Sequence, residues 1–254
     1  MTRVTRGDVE IAVFEALPQA GAGVPLVLVH GFASDHKTNW IGPGWIAPLT
    51  AAGFHVIAPD MRGHGASSRP HAEEAYGLGF MAADVARVIE VRADGGPVVV
   101  MGYSMGAFIA MVLAATRPEM VSRLVLAGVG ENVLLDTSAR NSEIAAGLLA
   151  DEAPARDRPV ARQFRLFAEQ TGADRQALAA CIRSFGNGLG VDVVGAIAAP
   201  TLVIAGEADE IARDPRPLAS LIPGAVFEIV PRRDHMRAVG DKVTKEKVLA
   251  FIGG

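Results

Sequence analysis

The sequence predicts one α/β domain, a mostly parallel central sheet with helices on both faces. Three observations predict it. Apolar runs such as residues 25–29 (PLVLV) and 201–205 (TLVIA) are too short for helices and lack polar alternation, as expected of strands covered on both faces. Segments with apolar residues at helical spacing separate them, the pattern of strand–helix–strand crossovers. A chain of 254 residues without a long polar linker is suited to one large core.

In chain order, residues 2–17 read as two short strands joined near Gly7-Asp8, the second (VEIAVFEAL) partly alternating. After the loop QAGAG, the strand PLVLV ends at His30-Gly31-Phe32. A polar loop, ASDHKTNW, precedes a short helix over 45–52, closed by Gly53; a strand over 54–58 then leads into the turn DMRGHGASS. Over 78–91, Met81, Val85, Val88 and Ile89 fall on one helical face while Arg87 and Glu90 point elsewhere.

Residues 98–115, VVVMGYSMGAFIAMVLAA, carry no charge, and a membrane-spanning helix needs only about 20 such residues. The β-branched Val98–Val100 and the punctuation by Gly102 and Gly106 instead predict a strand, a sharp turn and a buried helix. In G-x-S-x-G the serine occupies a strained backbone, and side chains two residues to either side would collide as strand and helix pass closely. Ser104 is therefore read as a nucleophile. Beyond Arg117-Pro118, residues 124–127 form another buried strand.

Between 131 and 199 the alternation lapses into helical segments (IAAGLLA, VARQFRLFAEQ, RQALAACIRSF), expected to be a lid inserted into a core of residues 1–130 and 200–254. Alternation returns with the strand at 201–205, a helix near 217–221, a strand at 226–230 and a final helix over 243–252.

Lys and Arg number 24 against 28 Asp and Glu, a net charge of −4 with no basic stripe, so no nucleic-acid partner is expected. Arg156, Arg158, Arg162 and Arg165 are expected on a solvated helix face. One cysteine, Cys181, allows no intrachain disulfide, and the opening MTRVTRGDVE lacks an apolar targeting core. Both point to the cytoplasm, away from membranes. Oligomeric state is not legible.

Ser104, Asp209 and His235 each lie just past a predicted strand, in the order serine, acid, histidine. With HGF, DMRGHGAS, GYSMG, GEADE and RRDH at matching strand ends, the chain resembles the α/β-hydrolase fold family, in its serine carboxylesterase-like branch. The resemblance covers most of the chain and says least about the lid. RRDH departs from the Gly-x-Gly-His often seen there.

That resemblance implies Ser104 as nucleophile, His235 as general base and Asp209 as the acid that orients it, with Glu207 and Asp136 as rival acids and Asp234 expected to point away. It implies oxyanion donors in the backbone N–H groups of Phe32 and Met105. It makes the turn around His64 scaffolding, and the serine sets the chain apart from dehalogenases and epoxide hydrolases, which use aspartate there. His30 and His36 show no metal-ligand spacing, and Gly186-Asn187-Gly188-Leu189-Gly190 reads as a lid hinge rather than a nucleotide loop; no metal or cofactor is expected.

The expected partner is a small, largely apolar carboxylic ester. Its pocket is assigned to Leu148, Leu149, Phe164, Phe167 and Phe185, helped by Trp40 or Trp45. The same residues also suit hydrolysis of a carbon–carbon bond or an enol-lactone, or perhydrolysis, and a small-molecule receptor of this fold is the distant alternative.

Overall fold

The computed structural model describes residues 1–186 and 188–254. Eight strands form one sheet: β1 (Thr2–Arg6), β2 (Val9–Ala16), β3 (Val24–Val29), β4 (Phe54–Pro59), β5 (Val98–Tyr103), β6 (Val121–Ala127), β7 (Thr201–Gly206) and β8 (Val226–Val230). Their spatial order is β1-β2-β4-β3-β5-β6-β7-β8. β2 is antiparallel to both β1 and β4, and every pairing from β4 to β8 is parallel.

The apolar runs are continuous because each central strand feeds two cores. Val27 and Val29 of β3, with Val98 and Val100 of β5, face one side. Leu26, Leu28, Val99 and Met101 face the other. The first side is covered by α2 (Leu78–Arg92) and α3 (Met105–Thr116), the second by α1 (Ile46–Ala51) and α10 (Lys242–Gly253). In α2 the expected face is buried, with Met81, Val85, Val88 and Ile89 inward and Arg87 and Glu90 exposed. α3 is apolar all round because it is buried nearly all round.

Between β6 and β7 stand α4 (Ser138–Leu149), α5 (Pro159–Thr171), α6 (Arg175–Arg183) and α7 (Val191–Gly195). α5 reaches the end of β3, where Phe164 packs edge-on at 5.4 Å against Phe32, while α7 packs on α3 and α8. The remaining helices are α8 (Arg216–Leu221) and the one-turn α9 (His235–Ala238). Among the described residues no helix is long and apolar enough to cross a membrane, and the uncharged run at 98–115 is divided between β5 and α3.

Two local features differ from expectation. Residues 37–41 of the polar loop wind into a wide turn in which Gly42 N donates to Lys37 O at 2.7 Å, five residues back. Arg165 is not on a solvated face. It is 4% exposed and donates to the carbonyls of Gly147 (3.0 Å) and Ala150 (2.6 Å), satisfying acceptors that the end of α4 leaves open, while Nε meets Glu169 at 2.6 Å. Asn187, within the expected hinge, lies outside the described residues.

Candidate active site

β5 ends at Tyr103 and α3 begins at Met105, so Ser104 alone makes the turn. Its φ of 52° is in the left-handed region, and Ser104 N is anchored to Ala127 O at 2.8 Å. The turn is possible because its flanks have no side chains. A Cβ on Gly102 would overlap the Gly106 carbonyl, and one on Gly106 would overlap the Val29 carbonyl. The glycines of the motif are thus needed for close passage of strand and helix.

The loops after β7 and β8 bring two further residues to this turn. His235 Nε2 lies 3.0 Å from Ser104 Oγ, and His235 Nδ1 lies 2.8 Å from Asp209 Oδ2. The network assigns the ring proton to Nδ1, donating to the carboxylate, which leaves Nε2 to accept from the serine hydroxyl. Asp209 Oδ1 accepts from the backbone N–H groups of Ile211 (3.0 Å) and Ala212 (2.8 Å), so both carboxylate oxygens are fixed. An imidazole so held can take the serine proton while the carboxylate faces the charge that forms.

The rival acids are engaged elsewhere. Glu207 accepts from Arg232 N at 2.8 Å, and the exposed Asp136 accepts from Ser138 N at 2.8 Å. Asp234 caps α9 by accepting from Arg237 N at 2.9 Å, directing its side chain away from the imidazole.

Two positioning residues escape sequence reasoning. The Tyr103 hydroxyl donates to the His235 carbonyl, and its ring centroid lies 5.5 Å from the imidazole. Burial, with Asp209 and Asp234 nearby, pushes that hydroxyl well above its ordinary pKa, so it stays a donor. Asn39 Oδ1 accepts from Gly31 N at 3.0 Å, which fixes the loop carrying Phe32. Among the described residues neither Phe32 N nor Met105 N has a hydrogen-bond partner, and Met105 N belongs to the open N-terminus of α3.

Ser104 lines two cavities. One, of about 70 Å³, is walled by Phe32, Met105, Phe108, Ile144, Phe164 and Phe185, among others. The other, of about 170 Å³, includes Phe164, Phe167, Tyr103 and His235. A wider vestibule of about 560 Å³ opens past His235 and Met236. Phe164, Phe167 and Phe185 therefore lie where the pocket was expected. Trp40 and Trp45 do not: both are fully buried, edge to face at 6.1 Å, in the core beneath α1 and α10, Trp40 on the wide turn and Trp45 held by its Nε1 donating to Val239 O at 2.7 Å. Leu148 is buried in the core, and Leu149 is exposed at 44%.

The profile of the alpha/beta hydrolase fold matches residues 24–178, more than half of the chain. The chain belongs to the α/β-hydrolase fold family. Over 116 residues the chain is 39% identical to the 2-hydroxymuconate semialdehyde hydrolase of Pseudomonas sp. strain CF600, covering 44% of the chain and 38% of that protein. It spans 30% to 44% of the length of the curated relatives it matches. Solved structures match throughout. A hydrolase from Pseudomonas aeruginosa PA01 aligns with a TM-score of 0.81 at 26% identity, over 100% of this chain and 98% of that one. An esterase from Exiguobacterium antarcticum shares the fold, with a TM-score of 0.82 at 19% identity over 100% and 99% of the two chains.

Three further histidines, His30, His36 and His64, are buried close to this site. His30 Nε2 accepts from Met61 N at 2.9 Å, tying the end of β3 to the turn after β4. Asp60 accepts from both His36 N and His36 Nδ1 at 2.8 Å and from Ala66 N at 2.9 Å; these bonds outweigh burial, which alone would raise it, and hold the carboxyl at about 2. His64 is fully buried beside Phe32 and 5.2 Å from His30, and burial, reinforced by His30, lowers its pKa to about 3.

The sign of the resulting pH dependence follows directly. An unfolded His64 takes a proton near pH 6.5, whereas the folded one stays neutral to about pH 3, so stability is fully present above 6.5 and declines as pH falls through that window. The slope is about 1.4 kcal/mol per pH unit for this group. Thermal unfolding of His64→Asn between pH 6.5 and 4 is expected to show a shallower acid decline than wild type; parallel curves would refute it.

Proposed function

We propose that the chain is a serine hydrolase that cleaves a small carboxylic ester through an acyl-enzyme on Ser104. The observation that carries this reading is the unbroken chain of hydrogen bonds from Ser104 through His235 to Asp209, ending on a strained turn whose serine faces a cavity.

As Ser104 Oγ attacks the ester carbon, His235 Nε2 takes its proton and Asp209 stabilises the imidazolium. The carbonyl oxygen becomes an oxyanion and receives the free N–H groups of Phe32 and Met105, the latter with the favourable field of a helix N-terminus. His235 returns the proton to the leaving alcohol. A water then gives a proton to His235 and attacks the acyl carbon, and the carboxylic acid departs as Oγ regains its hydrogen.

We assign the acyl group to the cavity of about 70 Å³ and the alcohol to the one of about 170 Å³; the smaller has room for a few non-hydrogen atoms beyond the reacting carbon, which favours short acyl chains. The test is turnover of ethyl esters from acetate to octanoate. A kcat/KM maximum at four carbons or fewer is expected, and failure on every ester would overturn the reading. The likeness to a 2-hydroxymuconate semialdehyde hydrolase supports a second reading, hydrolysis of a carbon–carbon bond by the same three residues, and places a semialdehyde of that type in the same panel.

A further inference from the structure

Arg140, on α4, is the only formally charged side chain among the described residues lining the cavity at Ser104, and it also lines the vestibule. Its Nε is buried and meets no acceptor among the described residues. Burial, reinforced by the neighbouring Arg213 on the vestibule wall, works against its charge.

The nearby carboxylates do not compensate. Asp136, Glu210 and Asp234 share the vestibule wall, yet among the described residues none forms an ion pair with Arg140 or Arg213. Asp136 is taken by Ser138 N and Asp234 by Arg237. A guanidinium left partly desolvated without an anion is costly unless something else supplies the anion.

Two donors accompany it where the cavities meet. Asn132 Oδ1 accepts from Gly130 N at 2.9 Å, leaving the amide nitrogen as its free end. Thr137 Oγ1 accepts from Asn141 Nδ2 at 3.2 Å, leaving the hydroxyl hydrogen to donate. Both residues line the cavity and the vestibule, as Arg140 does. A cation and two neutral donors lining the same cavity and vestibule suit a carboxylate.

We propose that the natural substrate is an anionic ester whose free carboxylate is bound by Arg140, with Asn132 and Thr137 as supporting donors. The proposal rests on the hydrolase reading above and replaces a merely apolar substrate with one that is apolar at the acyl carbon and charged a short distance away. Arg140 is then a specificity determinant and takes no part in proton transfer.

The test compares monoethyl succinate with ethyl butyrate, and O-acetylglycolate with propyl acetate, which place the carboxylate on the acyl or the alcohol side. The ratio of kcat/KM, anionic over neutral, is expected to fall about 30-fold in Arg140→Gln for one of the pairs, chiefly through KM, and to recover in part in Arg140→Lys. The same site is read without turnover by calorimetry of succinate and acetylglycolate on Ser104→Ala, with and without Arg140→Gln. Binding that depends on Arg140 in a protein that cleaves no ester would support the anion site while overturning the esterase. Ratios and binding indifferent to Arg140, in a protein that still cleaves esters and melts normally, would overturn the anion site alone.

Discussion

Ser104→Ala is expected to lower kcat/KM for a short-chain ethyl ester by about 10⁴-fold or more, with little change in thermal stability. In the proposed mechanism the hydroxyl oxygen bonds to the acyl carbon, and without it His235 and the free N–H groups of Phe32 and Met105 have no nucleophile to act on. Stability is spared because alanine and serine bear the same strain at a φ of 52° and the Ser104 backbone bond to Ala127 is kept. Circular dichroism of the variant checks the fold, and steady-state kinetics checks the rate. Equal rates for variant and wild type would refute the assignment.

Asp209→Asn is expected to cost about 10³- to 10⁴-fold in kcat, although it changes one atom. The reason lies in the partners of both carboxylate oxygens. Oδ1 accepts from Ile211 N and Ala212 N, so an asparagine must leave its single oxygen there and turn its amide nitrogen toward His235. An N–H facing Nδ1 forces the ring proton onto Nε2, and that nitrogen can no longer accept from Ser104. Nitrogen NMR of the imidazole should report Nδ1-protonated wild type and Nε2-protonated variant. A variant with the tautomer switched and the rate intact would contradict the role given to Asp209.

Much of this geometry was legible because its causes are local. Apolar runs five residues long are too short for most helices and suit covered strands, and Gly102, Ser104 and Gly106 carry a steric requirement within five positions. Strand ends then located the loops bearing Asp209 and His235. What escaped depends on contacts remote in sequence. Tyr103 acts on His235, 132 residues away, and nothing in its own surroundings announces that bond. Trp40 follows a run of polar residues and reads as a pocket aromatic, whereas the wide turn at 37–41 places it in the core. Arg165 shares a segment with the exposed Arg156 and Arg158 and differs from them in facing the end of α4. The isolation of Arg140 is equally invisible, since a missing partner leaves no trace in composition.

The most direct test of the account is the site of covalent attack. Incubation with a fluorophosphonate, followed by intact-mass and peptide mass spectrometry, is predicted to add one equivalent, on Ser104, with labelling abolished in Ser104→Ala and strongly slowed in His235→Ala. Failure to label a folded wild-type protein, or stoichiometric labelling of any other residue, would contradict the nucleophile on which the mechanism depends.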